Sequence, residues 1–269
     1  MVIIIDGLGD LPSPDLDNQT PLEAASTPGM DRLASSGLYG LVDPIARGVI
    51  PNTHSGTGLL MGMLPEQERL LSRGPVEAAG AGLPLDEGDV AFRANFATVD
   101  PHSQDLKIVD RRAGRIFEDT GELASALNGM DLGDGVAARL QSTDQHRCVL
   151  VLHGKGLDAR VSRTDPGDSG LPSGMLRCEA QDSAAFFTAT KVQQFVSRAH
   201  DILEHHPVNQ ARRLRGKLPA NAIITRGAGV AFRLESESSK ADIPTAVVAG
   251  CNTVLGLARL FGFEAISDE

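Results

Sequence analysis

The sequence lacks three features that define large classes of proteins. Its 25 Lys and Arg residues are outnumbered by 35 Asp and Glu, which gives a formal charge of −10, whereas a nucleic-acid partner calls for a basic surface. No apolar run approaches the roughly 20 residues that span a bilayer, and no basic segment precedes the short apolar run at the N-terminus, as a signal peptide would require. The three cysteines are widely spaced, which favours neither a disulfide framework nor a zinc knuckle. We therefore expect a cytoplasmic protein that binds neither nucleic acid nor a membrane, and we leave open whether it forms a homo-oligomer.

The patterns of apolar residues that are present predict an α/β protein with an inserted α+β domain. Glycine and proline crowd the chain after about residue 72, and short alternating strands follow, at Val90 to Val99 and at Arg147 to Leu152. A helical stripe of apolar residues runs from Lys191 to His205. Strand–helix alternation then resumes with a strand at Thr245 to Ala249, which we expect in one parallel sheet with Val2 to Ile5. The predicted segments are residues 1–72 and 216–269 for the main domain and 73–215 for the insertion.

The first ten residues contain the first candidate site. Val2 to Ile5 are apolar at every position, as in a strand buried on both faces of a parallel sheet. Asp6 follows where such a strand would end, at the edge where open α/β sheets place their chemistry. Its carboxylate, followed by glycines, is a candidate ligand for a divalent metal. An ordinary turn-forming role for Asp6 is an equal alternative.

The second candidate site is the hydroxyl-rich segment from Pro51 to Gly58. It contains Thr53, His54 and Ser55 between a proline and a predicted helix start. The first amides of a helix suit a phosphate, and a hydroxyl held beside a metal is a candidate nucleophile towards phosphorus. Helix capping is the competing interpretation, because Thr and Ser are common at that position.

Arginines form the third candidate site. Arg73 and Arg93 lie in glycine-rich and strand-like segments, and Arg111 and Arg115 fall in one short turn sequence. In an acidic protein, arginines beside glycines suit bidentate binding of phosphate and carboxylate groups. A solvated charged surface is the alternative for any one of them. We expect the four to converge on one cleft that faces Asp6 and Thr53.

Several words of this sequence resemble those of the archaeal-type 2,3-bisphosphoglycerate-independent phosphoglycerate mutases, which are metalloenzymes of the alkaline phosphatase superfamily. The matches occur in order and cover nearly the whole chain. The matching segments are 5–10 (IDGLGD), 20–25 (TPLEAA), 73–78 (RGPVEA), 92–98 (FRANFAT), 110–115 (DRRAGR), 206–209 (HPVN) and 226–229 (RGAG).

The resemblance implies an alkaline-phosphatase-like parallel sheet domain, incomplete here, that carries two divalent metal ions (Mn, Mg or Zn). It implies an isomerase of glycolysis that moves phosphate between O2 and O3 of glycerate through a phosphoenzyme, with a small phosphorylated carboxylate as substrate. Asp6 matches the N-terminal metal ligand. Thr53 matches the nucleophile, which also contacts metal, with Ser55 as the other candidate. Arg73, Arg93, Arg111 and Arg115 would bind the substrate.

The sequence also departs from the family pattern. Members of the family carry further ligand words, Asp-x-x-Gly-His and later His residues, and none occurs here after Gly229. We expect this chain to supply only part of the metal ligands and to show little mutase turnover by itself. Two alternatives follow: an inactive relative that serves as a binding or structural remnant, or a metal-dependent phosphatase or phosphotransferase acting on another acidic substrate.

Overall fold

The computed structural model describes residues 1–103, 105–167, 174–235 and 243–268. The chain divides into two compact units, Met1–Asp43 and Pro44–Glu269, and each is described by itself. Among the described residues, no helix combines the length and the apolar character needed to cross a membrane.

The N-terminal unit contains short helices and no strand among its residues. A 3₁₀ helix covers Pro14–Leu16, and the helices α1 and α2 cover Pro21–Ala24 and Pro28–Ser36. Each of these helices begins with a proline, whose fixed φ suits the first helical position. Thr20 and Glu23 add a capping box to α1.

The predicted parallel strand at Val2 to Ile5 is not formed, and this part of the sequence interpretation was wrong. All four residues are exposed, from 51% at Ile4 to 79% at Val2, and no strand of the described residues pairs with them. An apolar run becomes a strand only where neighbouring strands accept its amide hydrogen bonds. The strand predicted at Thr245 to Ala249 does form, but it lies in a separate two-stranded sheet (see below).

The Pro44–Glu269 unit is built on a six-stranded antiparallel sheet. Its strands are β1 Val90–Asp100, β2 Lys107–Asp110, β3 Met130–Asp131, β4 Ala137–Ser142, β5 Arg147–His153 and β6 Ala222–Gly229. The long first strand, β1, lies between β5 and β6 and also pairs with β2 at its C-terminal end. Strands β4 and β3 continue the sheet beyond β5. The strands predicted at 90–99 and 147–152 are thereby confirmed.

Helices and a second small sheet complete this unit. The helices are α3 Thr53–Leu60, α4 Arg73–Gly80, α5 Thr120–Leu127, α6 Phe186–Glu204, α7 Pro207–Leu214 and α8 Asn252–Leu260, with 3₁₀ turns at Pro65–Leu70 and Ser183–Ala185. Strand β7 (Ala246–Ala249) pairs in parallel with β8 (Glu264–Ser267). The helical stripe predicted from Lys191 is confirmed in α6.

The two faces of the main sheet differ in what covers them. Phe92, Ala94 and Phe96 of β1 point into the large hydrophobic core, which also contains apolar residues of α5 and α6. The alternate residues of β1 point to the opposite face, where Ala91 packs with Ala78 of α4. Because α4 covers only part of this face, its remaining positions are free to hold polar side chains.

The α4 helix links this face of the sheet to the C-terminal helix α8. A Cβ on Gly256 of α8 would overlap the carbonyl oxygen of Val76, so glycine permits the close packing of the two helices. Strand β6, which the predicted boundaries assign to the segment 216–269, pairs with β1 inside the sheet of the predicted insertion. The boundaries at 72/73 and 215/216 remain a proposal.

Candidate functional site

A band of polar side chains crosses the face of the sheet that α4 partly covers. Arg93 and Asn95 are two residues apart on β1 and therefore point to the same face. The strand register places Arg226 of β6 opposite Arg93, and Arg147 of β5 opposite Asn95. Arg93 and Asn95 are each 5% exposed. Antiparallel pairing thus brings three arginines and an amide from three strands into one patch, which we call the arginine band.

Glu77 of α4 is the acid that faces this band. It is 4% exposed, and its Oε1 accepts hydrogen bonds from Nη1 of Arg93 at 3.2 Å and from Oγ1 of Thr253 at 3.0 Å. Its Oε2 accepts from Nδ2 of Asn252 at 2.7 Å. Nε of Arg73, one helical turn before Glu77, lies 3.6 Å from Oε1. One buried carboxylate therefore joins α4, α8 and the arginine band.

Glycines allow the N-terminus of α4 to approach the sheet. Gly227 follows Arg226 on β6 with φ +63°, and a Cβ there would lie 2.8 Å from Cβ of Arg73. A Cβ on Gly74 would overlap the backbone of Ala91 on β1. The segments 73–78 and 226–229, which contain Arg73 and Arg226, are therefore in direct contact. The glycines beside the arginines make that contact sterically possible.

Arg111 reaches the same region through a buried acid. Its Nε and Nη2 donate to the two carboxylate oxygens of Asp165, each at 2.6 Å, and Nε of Arg226 lies 3.6 Å from Oδ2 of the same carboxylate. Burial by itself would raise the pKa of Asp165, but hydrogen bonds from Arg111 and from the amide of Gly167 outweigh it and lower that pKa. Asp165 therefore carries a negative charge that positions Arg226.

Buried polar atoms without partners are concentrated around the arginine band. Within the described part of the chain, no hydrogen-bond partner exists for Nε of Arg73, Arg93, Arg147 and Arg226, Oδ1 of Asn95 and Nδ1 of His54. A buried donor or acceptor that makes no hydrogen bond costs free energy. Such a group of atoms indicates a site that a ligand or water completes.

The electrostatics of the site favour an anion. Arg73, Arg93 and Arg226 lie close together, and among the described residues Glu77 lies beside Arg73 and Arg93 while Asp165 lies beside Arg226. Burial, reinforced by repulsion from Arg73, Arg226 and Arg147, lowers the pKa of Arg93 to about 10. An anion bound here would relieve that repulsion.

The hydroxyl-rich segment lies at the start of α3. Asn52 caps this helix, since its Oδ1 accepts from the amide of Ser55 at 3.1 Å. Ser55 is fully buried and its hydroxyl serves the same capping box, whereas Thr53, the first helical residue, is exposed. The capping interpretation therefore holds for Ser55, and Thr53 is the accessible hydroxyl of the pair.

His54, beside Thr53, faces the arginine band. Burial lowers the pKa of His54 to about 4, and the charges of Arg73, Arg93 and Arg226 add to this effect while Glu77 opposes it. The imidazole is therefore neutral at pH 7. These electrostatic partners show that α3 lies next to the band.

Asp6 and Arg115, which the sequence also singled out, are both exposed. Asp6 is exposed in a turn of the N-terminal unit. Arg115 is exposed in the turn after β2 with φ +55°, and it lines a different cavity of about 290 Å³ with Arg212 and Lys217. The structure thus connects Arg73, Arg93 and Arg111 through Glu77, Asp165 and Arg226, while the role of Arg115 in substrate binding stays a prediction.

Three potential metal ligands cluster in the Pro44–Glu269 unit. The group consists of Asp86, Asp89 and His153, whose ligand atoms lie within 4.8 Å of one another. The Asp86 group could hold a metal ion, but it does not correspond to the residues predicted from the sequence. The role of Asp6 and Thr53 as metal ligands stays a prediction.

Sequence reasoning did not single out Glu77, Asn95 or Arg226 as site residues. All three fall inside the words that resemble the family, namely 73–78, 92–98 and 226–229. The alternation of side chains along β1 could have indicated Asn95, because it places Asn95 on the same face of the strand as Arg93. Nothing in the local sequence indicates that β1 pairs with β6, which follows more than 120 residues later and carries Arg226.

Comparison with known proteins identifies the family. Residues 34–209 match the family model of 2,3-bisphosphoglycerate-independent phosphoglycerate mutase. Mutases of that name from Methanopyrus kandleri and Methanothermobacter thermautotrophicus are 44% and 40% identical over the whole of this chain. The chain spans 64% and 65% of their respective lengths.

Solved structures agree with this assignment. The cofactor-independent phosphoglycerate mutase of Thermoplasma acidophilum is 36% identical with a TM-score of 0.61, and the alignment covers 99% of this chain and 69% of that one. A protein from Pyrococcus horikoshii is 31% identical with a TM-score of 0.69, over 98% of this chain and 60% of that one. The fold is therefore the α/β type of these proteins. The chain belongs to the family of 2,3-bisphosphoglycerate-independent phosphoglycerate mutases.

Proposed function

We propose that this chain contributes the substrate-binding site and the nucleophile of a phosphoglycerate mutase, which interconverts 3-phosphoglycerate and 2-phosphoglycerate in glycolysis. The observation that carries the proposal is the arginine band, whose buried Nε atoms have no hydrogen-bond partner among the described residues and whose guanidinium groups repel one another. A phosphorylated carboxylate supplies several anionic oxygens, and guanidinium groups match their geometry. The names of the relatives support this substrate class.

Thr53 is the proposed nucleophile, because it is the accessible hydroxyl next to the band. In the forward direction Oγ1 of Thr53 attacks phosphorus, the P–O3 bond breaks, and O3 of glycerate takes up the proton that Thr53 loses. The O2 hydroxyl of the same glycerate then attacks the phosphothreonine, the P–Oγ1 bond breaks, and the proton from O2 returns to Thr53. Atoms and charges balance, and no water enters.

The residues of this chain have separate tasks in that sequence. Arg93 and Arg226 hold the anionic oxygens of the substrate and offset the charge that builds up during transfer. Glu77 holds Arg93 in place, and Asp165 does the same for Arg226. His54 is neutral and adds no positive charge. The divalent metal ions that the family resemblance implies would activate the hydroxyl and neutralise the phosphate.

Calorimetric titration with 3-phosphoglycerate tests the binding part of the proposal on residues 1–269. We expect Arg93→Met to weaken binding by roughly 10- to 100-fold, which corresponds to the loss of about 1.5–3 kcal/mol for a hydrogen bond to a charged group. Arg177→Met is the matched control, because Arg177 is exposed and outside the band. Equal affinities of the wild type and Arg93→Met would contradict the proposal.

The chemical part needs a separate measurement. We expect Thr53→Ala to bind 3-phosphoglycerate with nearly unchanged affinity but to form no phosphoenzyme when the protein is incubated with labelled substrate and Mn²⁺. Ser55→Ala should keep any labelling, because Ser55 is buried in its capping box. A chain that binds the substrate without being labelled would instead match the binding-remnant alternative.

A further inference from the structure

We propose that Asn95 determines specificity by accepting a hydrogen bond from the free hydroxyl of the bound substrate. The proposal rests on the proposed function, because it assigns one part of the same ligand to a residue that the arginine chemistry leaves unexplained. It names the ligand class more closely: a phosphorylated carboxylate that also carries a hydroxyl group.

The position of Asn95 sets it at the boundary between charged and apolar parts of the sheet face. On β1 it follows Arg93 by two residues, and on β5 its register partner is Arg147. On the other side its register partner is Ile224 of β6, which belongs to a small hydrophobic cluster with Ala97. The amide is therefore fixed by packing and directed by the strand to the face of the arginine band.

The burial of Asn95 makes its unpartnered oxygen significant. The residue is 5% exposed, and its Oδ1 has no hydrogen-bond partner within the described residues. Nε of Arg93 and Nε of Arg147 also lack partners among the described residues, so donors and an acceptor that make no hydrogen bond lie side by side. A buried acceptor without a hydrogen bond costs free energy of folding unless a ligand or a water molecule donates to it.

The chemistry of the band limits what can bind there. Guanidinium groups only donate hydrogen bonds, whereas Oδ1 of an asparagine only accepts them. Carboxylate and ionised phosphate oxygens are acceptors too, so they suit the arginines and are unfavourable against Oδ1. A hydroxyl group donates. An anion with a hydroxyl on the adjacent carbon therefore satisfies both the arginines and Asn95.

A pair of ligands that differ only in this hydroxyl tests the proposal. The first is 3-phosphoglycerate, and the second is 3-(phosphonooxy)propanoate, which has the same charged groups but no 2-hydroxyl. Calorimetric titration of residues 1–269 gives the affinity ratio of the two ligands for the wild type, Asn95→Leu and Asn95→Asp. Gln141→Leu is the control, because it makes a similar amide-to-leucine change at an exposed position of β4.

We expect the wild type to bind 3-phosphoglycerate roughly 10- to 100-fold more tightly than the analogue, since the analogue leaves a buried acceptor unsatisfied. In Asn95→Leu the two affinities should differ by no more than about twofold, because leucine cannot accept a hydrogen bond from the hydroxyl that distinguishes the ligands. Asn95→Asp should keep a preference for the hydroxyl, because the carboxylate still accepts, while it weakens both ligands through its negative charge. Gln141→Leu should leave the ratio of the wild type unchanged.

Three outcomes would overturn the proposal: equal affinity of the wild type for the two ligands, an unchanged ratio in Asn95→Leu, or a lost preference in Asn95→Asp. The first result requires no variant, so the test stands even if a substitution prevents folding. The proposed function fails separately, when Arg93→Met binds both ligands as tightly as the wild type does.

Discussion

Replacing Glu77 is the most direct test of how the site is held together. Its carboxylate accepts hydrogen bonds from Arg93, Asn252 and Thr253 and lies 3.6 Å from Nε of Arg73. The Glu77→Ala change would leave the buried guanidinium of Arg93 without an acidic partner among the described residues. It would also remove the side chain through which Asn252 and Thr253 of α8 are joined to Arg93.

The expected magnitude follows from the charge and the burial. Removing one partner of a buried ion pair costs about 3–5 kcal/mol, because the other charge stays buried without compensation. We therefore expect Glu77→Ala to lower the free energy of unfolding by about 4 kcal/mol. Glu77→Gln keeps the shape and one acceptor oxygen but loses the charge, and we expect about 2 kcal/mol, near the value of one hydrogen bond to a charged group.

Urea unfolding followed by far-ultraviolet circular dichroism measures both values. Glu122→Gln is the control, because Glu122 is exposed in the first turn of α5, and it should change the free energy of unfolding by less than about 0.5 kcal/mol. A loss below about 1 kcal/mol in Glu77→Ala would refute the reasoning, because Arg93 would then need no counter-charge. Equal losses in the Ala and Gln variants would show that packing, and not charge, is what Glu77 supplies.

Two further predictions concern the backbone and the protonation of the same unit. Gly227→Ala should lower the free energy of unfolding by about 1–3 kcal/mol more than Gly129→Ala, since both glycines have positive φ but only Gly227 would place its Cβ against Arg73; equal losses, measured by thermal unfolding, would contradict the close contact. Burial, followed by the charges of Arg147, Arg112 and Arg93, lowers the pKa of His146 to about 4. Because the unfolded chain then binds more protons, stability should fall as the pH drops from 6.5 to about 4 and less so in His146→Gln, and an NMR titration that gives His146 a pKa near 6.5 would exclude this.

The predictions that succeeded from sequence rest on neighbours along the chain. The alternation of Val90 to Val99 and the helical stripe after Lys191 correctly predict β1 and α6, because each periodicity is set within a few residues. The helix cap at Asn52 to Ser55 was predictable for the same reason, because a capping box needs only four consecutive residues. The interpretation of Val2 to Ile5 as a sheet strand failed, because a strand depends on partners that the run itself does not specify.

The sequence by itself determined the family, the α/β class and the residue types available for binding an anion. Short segments such as FRANFAT and RGAG are enough to indicate the family and to supply the arginines. Which of those residues meet was decided only by the tertiary structure. Arg93 and Arg226 come together because β6 pairs with β1 across more than 120 residues, whereas Arg115, in the turn after β2, lines a cavity with Arg212 and Lys217. Glu77 and Asn95 acquire their roles in the same way: burial and the opposing strands, and not their own neighbours in the chain, leave one as the counter-charge and the other as an unpartnered acceptor.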